Sequence, residues 1–323
     1  MLPLLALADD LTGALEVAAQ FAGRGVPATV GFERRADSSA MQVIDTESRH
    51  LAPGEAAAVV GAVAAGHTGL IYKKTDSTLR GNIASELAAL ACLDPAAKVA
   101  YIPAYPRLGR TVINGRLYVD GIPVHQTAFA ADPLNPVTDS SVAAAAGGLP
   151  CTIFDGETDA DVANAVAAAL ADPDCRILAG PASVAAELAA QTGDSPRREW
   201  PHIARCLIAS GSLHEASRRQ IEWAEANGCA SCDPAAAWRI VPRAMDLPDC
   251  LRSASCDALM IFGGDTAFAI LKALGCEQLE ALGEILPGLP LSRIPGRDLY
   301  LISKAGGYGD PTLIGAARRI LHA

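Results

Sequence analysis

A rhythm constrains this chain more than any single motif: short apolar runs alternate with longer stretches of helical composition. Apolar runs over residues 2–8, 26–32, 41–44, 69–72, 98–102, 151–154 and 176–179 read as buried strands. Helices are predicted over 11–22, 55–65, 83–93, 159–170 and 182–190. Strands alternating with helices predict a parallel sheet covered on both faces. Residues 103–136 break the rhythm with many prolines and glycines, and read as a long ordered loop carrying a hairpin over 115–123. Loops of that length in a compact domain are usually functional. The polar, proline-broken stretch 191–201 (QTGDSPRREWP) reads as a linker. The pattern then resumes, with strands over 204–209, 258–262 and 299–303 and helices over 214–227, 266–274 and 311–321. The expected fold class is therefore α/β, two domains with mostly parallel sheets, spanning 1–195 and a smaller 202–323.

Composition excludes several classes. At 323 residues two domains are favoured over one, and 50% apolar residues supply a core, which rules out intrinsic disorder. The formal charge of −10 argues against a nucleic-acid or anionic-membrane partner. No run approaches the roughly 18–20 apolar residues of a membrane span. The apolar start lacks a basic segment and is cut short by Asp9 and Asp10, so it does not read as a signal peptide. Nine scattered cysteines, an odd number, suggest reduced thiols and a cytoplasmic location. Cys229 and Cys232 have no second pair nearby, so no metal site is expected.

In open α/β sheets ligands bind beyond the carboxyl ends of the strands. Asp9 and Asp10 follow the first strand. One can cap the next helix, but a cap does not need two adjacent carboxylates, and they are read as catalytic candidates. Arg49 follows the third strand, and Lys74, Asp76, Ser77 and Arg80 follow the fourth. Fixed cations beside the hydroxyls of Thr46, Ser48, Ser77 and Thr78 suit a small polyhydroxylated carboxylate. His125, after the hairpin, is a weaker candidate for substrate contact. In the second domain, small-residue turns follow three strands: Ser210-Gly211-Ser212, Gly263-Gly264-Asp265-Thr266 and the run from Lys304 through Gly306 and Gly307 to Gly309. Such turns let backbone N–H groups approach phosphate oxygens, so Ser210, Gly263, Gly264, Asp265, Thr266, Gly306 and Gly307 are the nucleotide-site candidates. None matches the Walker or the Rossmann glycine pattern.

These segments resemble the four-carbon acid sugar kinases, the kinases of 3-oxo-tetronate, D-threonate and D-erythronate. The resemblance rests on ADDLTGA at 8–14, DTESR at 45–49, KKTDSTLRGN at 73–82, PAYPRLGR at 103–110, GRLYVDGIPV at 115–124 and DPLNPV at 132–137. It continues with SGS at 210–212, GGDTA at 263–267 and KAGGYG at 304–309. It implies an N-terminal acid-sugar-binding domain and a C-terminal ATP-binding domain. It further implies ATP and magnesium as cofactors, a small sugar acid as substrate, and is compatible with a homodimer. One departure stands out: only 52 positions separate Gly211 from Gly263, short for the family. A non-catalytic sugar-acid-binding module with a degenerate nucleotide domain is therefore the alternative expectation.

Overall fold

The computed structural model describes residues 4–35, 41–193, 199–253, 255–307 and 309–322. Residues 2–3 of the first expected strand, 194–198 of the expected linker and Tyr308 lie outside them. The first half carries strands β1 (Leu4–Ala8), β2 (Ala28–Gly31), β3 (Met41–Asp45), β4 (Leu70–Lys74), β5 (Lys98–Tyr101), β6 (Arg110–Ile113), β7 (Arg116–Val119), β8 (Ile122–Pro123), β9 (Thr152–Ile153) and β10 (Cys175–Gly180). The second carries β11 (Cys206–Ser210), β12 (Trp238–Val241), β13 (Ala258–Phe262), β14 (Gln278–Leu286), β15 (Leu289–Arg293) and β16 (Tyr300–Lys304). The helices are α1 (Leu11–Gly23), α2 (Pro53–Ala64), α3 (Ile83–Leu93), α4 (Val142–Ala145), α5 (Asp159–Ala171), α6 (Ala182–Ala190), α7 (Glu215–Ala226), α8 (Leu247–Ser253), α9 (Gly264–Ala273) and α10 (Leu313–Leu321).

The α/β class is as the rhythm predicts. The two halves, however, share one 13-stranded sheet in the order β12-β11-β13-β16-β15-β14-β2-β3-β1-β4-β10-β5-β9. The front half, β2 to β9 in that order, is all parallel, and so is the group β12-β11-β13-β16. The join is the antiparallel hairpin β14–β15, which pairs with β2 on one side and β16 on the other. The hairpin over 115–123 also exists, as part of a separate small sheet β6-β7-β8.

Three successive antiparallel pairings make β16 and β2 run in opposite directions. On a flat sheet the carboxyl ends of the two parallel groups would lie on opposite edges. A twist of about 20–25° per strand, accumulated over the six steps from β13 to β1, rotates the strand direction by about 120–150°. Antiparallel strands so rotated point within about 30–60° of one another, which brings both sets of carboxyl ends round to one side. The helix lying in this curl is α1. It packs against β14, α6 and α9. Leu11 through Ala19 are all buried, with Phe21 and Ala22, because the helix is covered on every side.

Candidate active site

Strands β3, β1 and β4 end in register at Asp45, Ala8 and Lys74, so the segments after them leave the sheet along one line. Asp10 caps α1, its carboxylate accepting the Gly13 N–H at 2.9 Å. Arg49 binds both adjacent aspartates. Its Nε and Nη2 donate to Asp9 at 2.7 and 3.0 Å, and its Nη1 donates to Asp10 at 2.7 Å. Burial alone would raise the Asp9 pKa, but the charges of Arg49 and Lys73 outweigh it and hold the group at about 2. Asp9 is therefore a fixed anion and a poor proton acceptor. Asp10 is the member of the pair that lines a cavity.

Asp76 folds the loop after β4. It accepts the Thr78 N–H at 2.9 Å and Arg80 Nε and Nη2 at 3.1 and 2.8 Å. Against the cost of burial, Arg80 and then Arg49 hold its carboxyl well below the usual range. Arg80 Nη1 continues to Asp132 at 3.1 Å, and its guanidinium lies 5.2 Å over the Phe129 ring. Leu79 and Glu47 sit in this region with φ of 66° and 45°, a left-handed backbone that non-glycine residues adopt where surrounding contacts impose it. Thr46 and Ser48, expected as hydroxyl donors to a ligand, are turned inward instead. They share a 2.7 Å hydrogen bond, and Ser48 donates to Glu86, whose other oxygen pairs with the fully buried Lys73 at 3.0 Å. The buried Lys73 and Glu86 thus support the loops from behind.

In the second half, β11, β13 and β16 end in register at Ser210, Phe262 and Lys304. Their glycine turns crowd together. A Cβ on Gly211 would stand 1.9 Å from Thr266 Oγ1, and one on Gly306 would stand 2.1 Å from Ser212 Oγ. Space, not backbone conformation, reserves both positions for glycine, since neither has a positive φ. Helix α9 begins at Gly264 with no side-chain cap, so its first amide groups have no side-chain acceptor from the cap residue. Lys304 is buried behind the third turn. Its ammonium donates to the Ala305 and Gly306 carbonyls at 2.8 and 3.1 Å and lies 5.0 Å from the Phe262 ring centre. Desolvation lowers its pKa to about 7. Drawing those carbonyls inward leaves the opposite side of the turn for the cleft.

The two edges face each other. A Cβ on Gly264 would lie 2.9 Å from Thr12 Oγ1 and 3.2 Å from Asp10 Oδ2. His50 Nε2 stands 3.5 Å from Asp265, and the Phe129 and His214 rings are 6.0 Å apart. A small polar cavity of about 50 Å³ lies between the halves, with Asp10, Lys74, Asp76, Ser77, Arg80 and Gly307 on its wall. It adjoins a larger cavity of about 1040 Å³, and both are lined by Leu108, Arg110, Phe129 and Gly307. His125 lines neither; it hydrogen-bonds Ser140 at 3.0 Å. Ser210, Gly263, Gly264, Asp265, Thr266 and Gly306 surround the meeting point of the turns without lining either cavity.

Sequence reading passed over Glu16 and Arg110, both on the small cavity. Glu16 carries the single charge in α1, which was the available signal. Burial first, opposed by Lys74, pushes its pKa up to about 7. Among the described residues no cluster of three or more His, Cys, Asp or Glu is placed to hold a metal ion.

Residues 4–146 match the family described as the sugar-binding N-terminal domain, and residues 243–314 match the nucleotide-binding C-terminal domain. A D-threonate kinase of Bordetella bronchiseptica is 32% identical over 391 aligned positions, covering 97% of this chain and 96% of that one. The chain belongs to the four-carbon acid sugar kinase family. A 3-oxo-tetronate kinase of Cupriavidus necator is 26% identical, covering 99% of this chain and 97% of its own. A crystal structure of a domain of unknown function from Bordetella bronchiseptica, with bound citrate and in a domain-swapped dimer, superposes with a TM-score of 0.53 at 27% identity. It covers 99% of this chain and 98% of that one. Since the family alignment with the threonate kinase runs to 391 positions and this chain has 323 residues, the relative carries at least 68 aligned positions absent here. The short interval between Gly211 and Gly263 is a difference of the same kind.

Proposed function

We propose that the protein is an ATP-dependent kinase that phosphorylates a hydroxyl of a four-carbon sugar acid such as a threonate or tetronate. The observation that carries this reading is the close approach of Gly264, in the back-half turns, to Thr12 and Asp10 on the front-half edge. A phosphate held by the turns would there meet a hydroxyl held by the cation-rich loops. Phosphoryl transfer asks the protein for alignment and charge neutralisation more than for covalent chemistry. Asp10 orients the attacking hydroxyl and takes its proton. Asp9 serves it indirectly, by fixing Arg49. Lys74, Ser77 and the Arg49–Asp76–Arg80 network form the acid's site. Ser210, Gly263, Gly264, Asp265, Thr266, Gly306 and Gly307 form the nucleotide's.

The crowding of Gly211 and Gly306 fits a phosphate cradle, because side chains there would fill the space that backbone amides need. Asp265, 69% exposed at the start of α9, fits water-mediated contact with a magnesium ion held mainly by phosphate oxygens. That ion supplies charge neutralisation on the transferring group. We place the division between the acid-binding domain, 1–195, and the nucleotide-binding domain, 202–323, at the polar segment between them. The nine unbridged cysteines suit a reducing cytoplasm. The domain-swapped relative makes a homodimer the assembly to look for.

The test is ADP release coupled to a panel of threonate, erythronate and tetronates. Stoichiometric ADP with one of them is expected. ATP binding by folded protein without turnover of any acid contradicts the substrate class. The 68 or more missing positions favour a second reading, an acid-binding module without catalysis. Calorimetry showing acid binding but no nucleotide binding would establish that one instead.

A further inference from the structure

The four cationic side chains around the small cavity are not equivalent. Arg49 is held by Asp9 and Asp10, and Arg80 by Asp76 and Asp132. The neighbouring Arg107 pairs with Asp159 at 2.9 Å, and Lys73 with Glu86. Lys74 and Arg110 have no carboxylate within ion-pair distance among the described residues. Arg110 opens β6 and is only 6% exposed. Its backbone is clamped against Tyr105 by reciprocal hydrogen bonds of 2.8 and 3.1 Å. Its Nη1 donates to the Leu108 carbonyl, and its Nε, turned away from solvent, has no hydrogen-bond partner among the described residues. Asp120, Asp76 and Glu16 act on it at longer range, and Arg80 opposes them. Burying a guanidinium with no carboxylate beside it is costly unless a ligand supplies the opposite charge.

We infer that Arg110 grips the carboxylate of the substrate and so makes the site select a sugar acid over the corresponding neutral polyol. This deepens the kinase reading and rests on it. The planar guanidinium of Arg110, which lines both cavities, can offer a carboxylate two parallel hydrogen bonds, which the point charge of Lys74 cannot. Phosphate oxygens have another host, the amide-rich turns across the cleft. Arg110 belongs to the front half, on the same cavity wall as Ser77, whose hydroxyl suits those of the substrate.

The test compares wild type with Arg110→Gln and Arg110→Lys on the preferred acid and on the matching tetritol, in which CH2OH replaces the carboxylate. Arg110→Gln should lower kcat/KM for the acid roughly 100-fold or more. It should leave the tetritol rate and the KM for ATP within a few-fold, so that the acid-to-polyol ratio collapses. Arg110→Lys should recover part of the ratio. Equal losses on acid and tetritol overturn the inference, as does a raised KM for ATP with acid kinetics unchanged, which would place the guanidinium on the nucleotide. Calorimetric binding of the acid, with melting temperatures as a check on folding, separates this from failure of the kinase reading. If wild type turns over no acid but binds one, loss of that binding in folded Arg110→Gln sustains the inference. Unchanged binding, or no acid binding by wild type, overturns it.

Discussion

The two walls of the cleft are made of opposite materials. The front wall is charged side chains locked to one another: Arg49 on two aspartates, Arg80 on two more, Lys73 on Glu86. The back wall is glycine turns and an uncapped helix end, with its buried lysine set behind the turn. A small acid with several stereocentres needs donors and acceptors at fixed points, and ion pairs fix them. A triphosphate needs many similar donors at close range, and bare backbone supplies them. The contrast teaches that charge at such a site is not the same as charge available to a ligand.

Removing the support behind the front wall should have the largest effect. Glu86→Gln leaves Lys73 as an unpaired charge in the core, and a loss of about 3–5 kcal/mol of stability is expected from the urea midpoint. Replacing both residues by well-packed apolar ones should restore most of it. If Glu86→Gln alone is neutral, the front wall is not held by its ion pairs and the comparison fails.

Glu16 sharpens the same contrast, because it is a front-wall carboxylate with no cation fixed to it. Its folded pKa of about 7 lies above the ordinary 4.5, so the folded state binds the extra proton. Its contribution to stability is complete below about pH 4.5 and is lost as pH rises to about 7. The loss is at most about 3 kcal/mol. Glu16→Gln should remove this slope, so the difference between the two stability–pH curves should grow from pH 4.5 to 7 and then level. Parallel curves would show that Lys74 already neutralises Glu16.

The smallest expected effect probes the back wall. Gly211→Ala sets a methyl group against Thr266 and should weaken nucleotide binding roughly tenfold, from overpacking, while leaving acid binding unchanged. Equal weakening of both ligands would mean that the walls do not act separately.

Much of the fold was legible. Apolar runs such as LLALA and the LIY that opens β4 are buried strands, but β4 runs on through two buried lysines, Lys73 and Lys74, which an apolar run does not foretell. The join between the halves was not read. In β14, QLEALGEIL, burial alternates strictly at Leu279, Ala281, Gly283 and Ile285, a period-two signal diluted by the polar residues between. Without that hairpin the shared sheet, and the twist that turns the two edges together, could not be foreseen. At the site, residue types at strand ends pointed to Asp10, Lys74 and the glycine turns. They did not show that Arg49 and Arg80 are held by the protein's own carboxylates, since Asp9, Asp10 and Asp132 are distant in the chain and Asp76 reaches Arg80 only through the turn it folds itself. Arg110 lay inside a recognisable segment, but its burial and its want of a carboxylate, which distinguish it from the exposed, Asp159-paired Arg107, are not visible in the sequence.

The central claim is that one phosphoryl group can pass from the back wall to the front wall. A crystal structure of the protein with a four-carbon acid and a non-hydrolysable ATP analogue bound together tests it most directly. Expected is an acid hydroxyl oxygen about 3–3.5 Å from the terminal phosphorus, in line with the bond to be broken. Both ligands well ordered but held apart, in a closed cleft with no route between them, would contradict it.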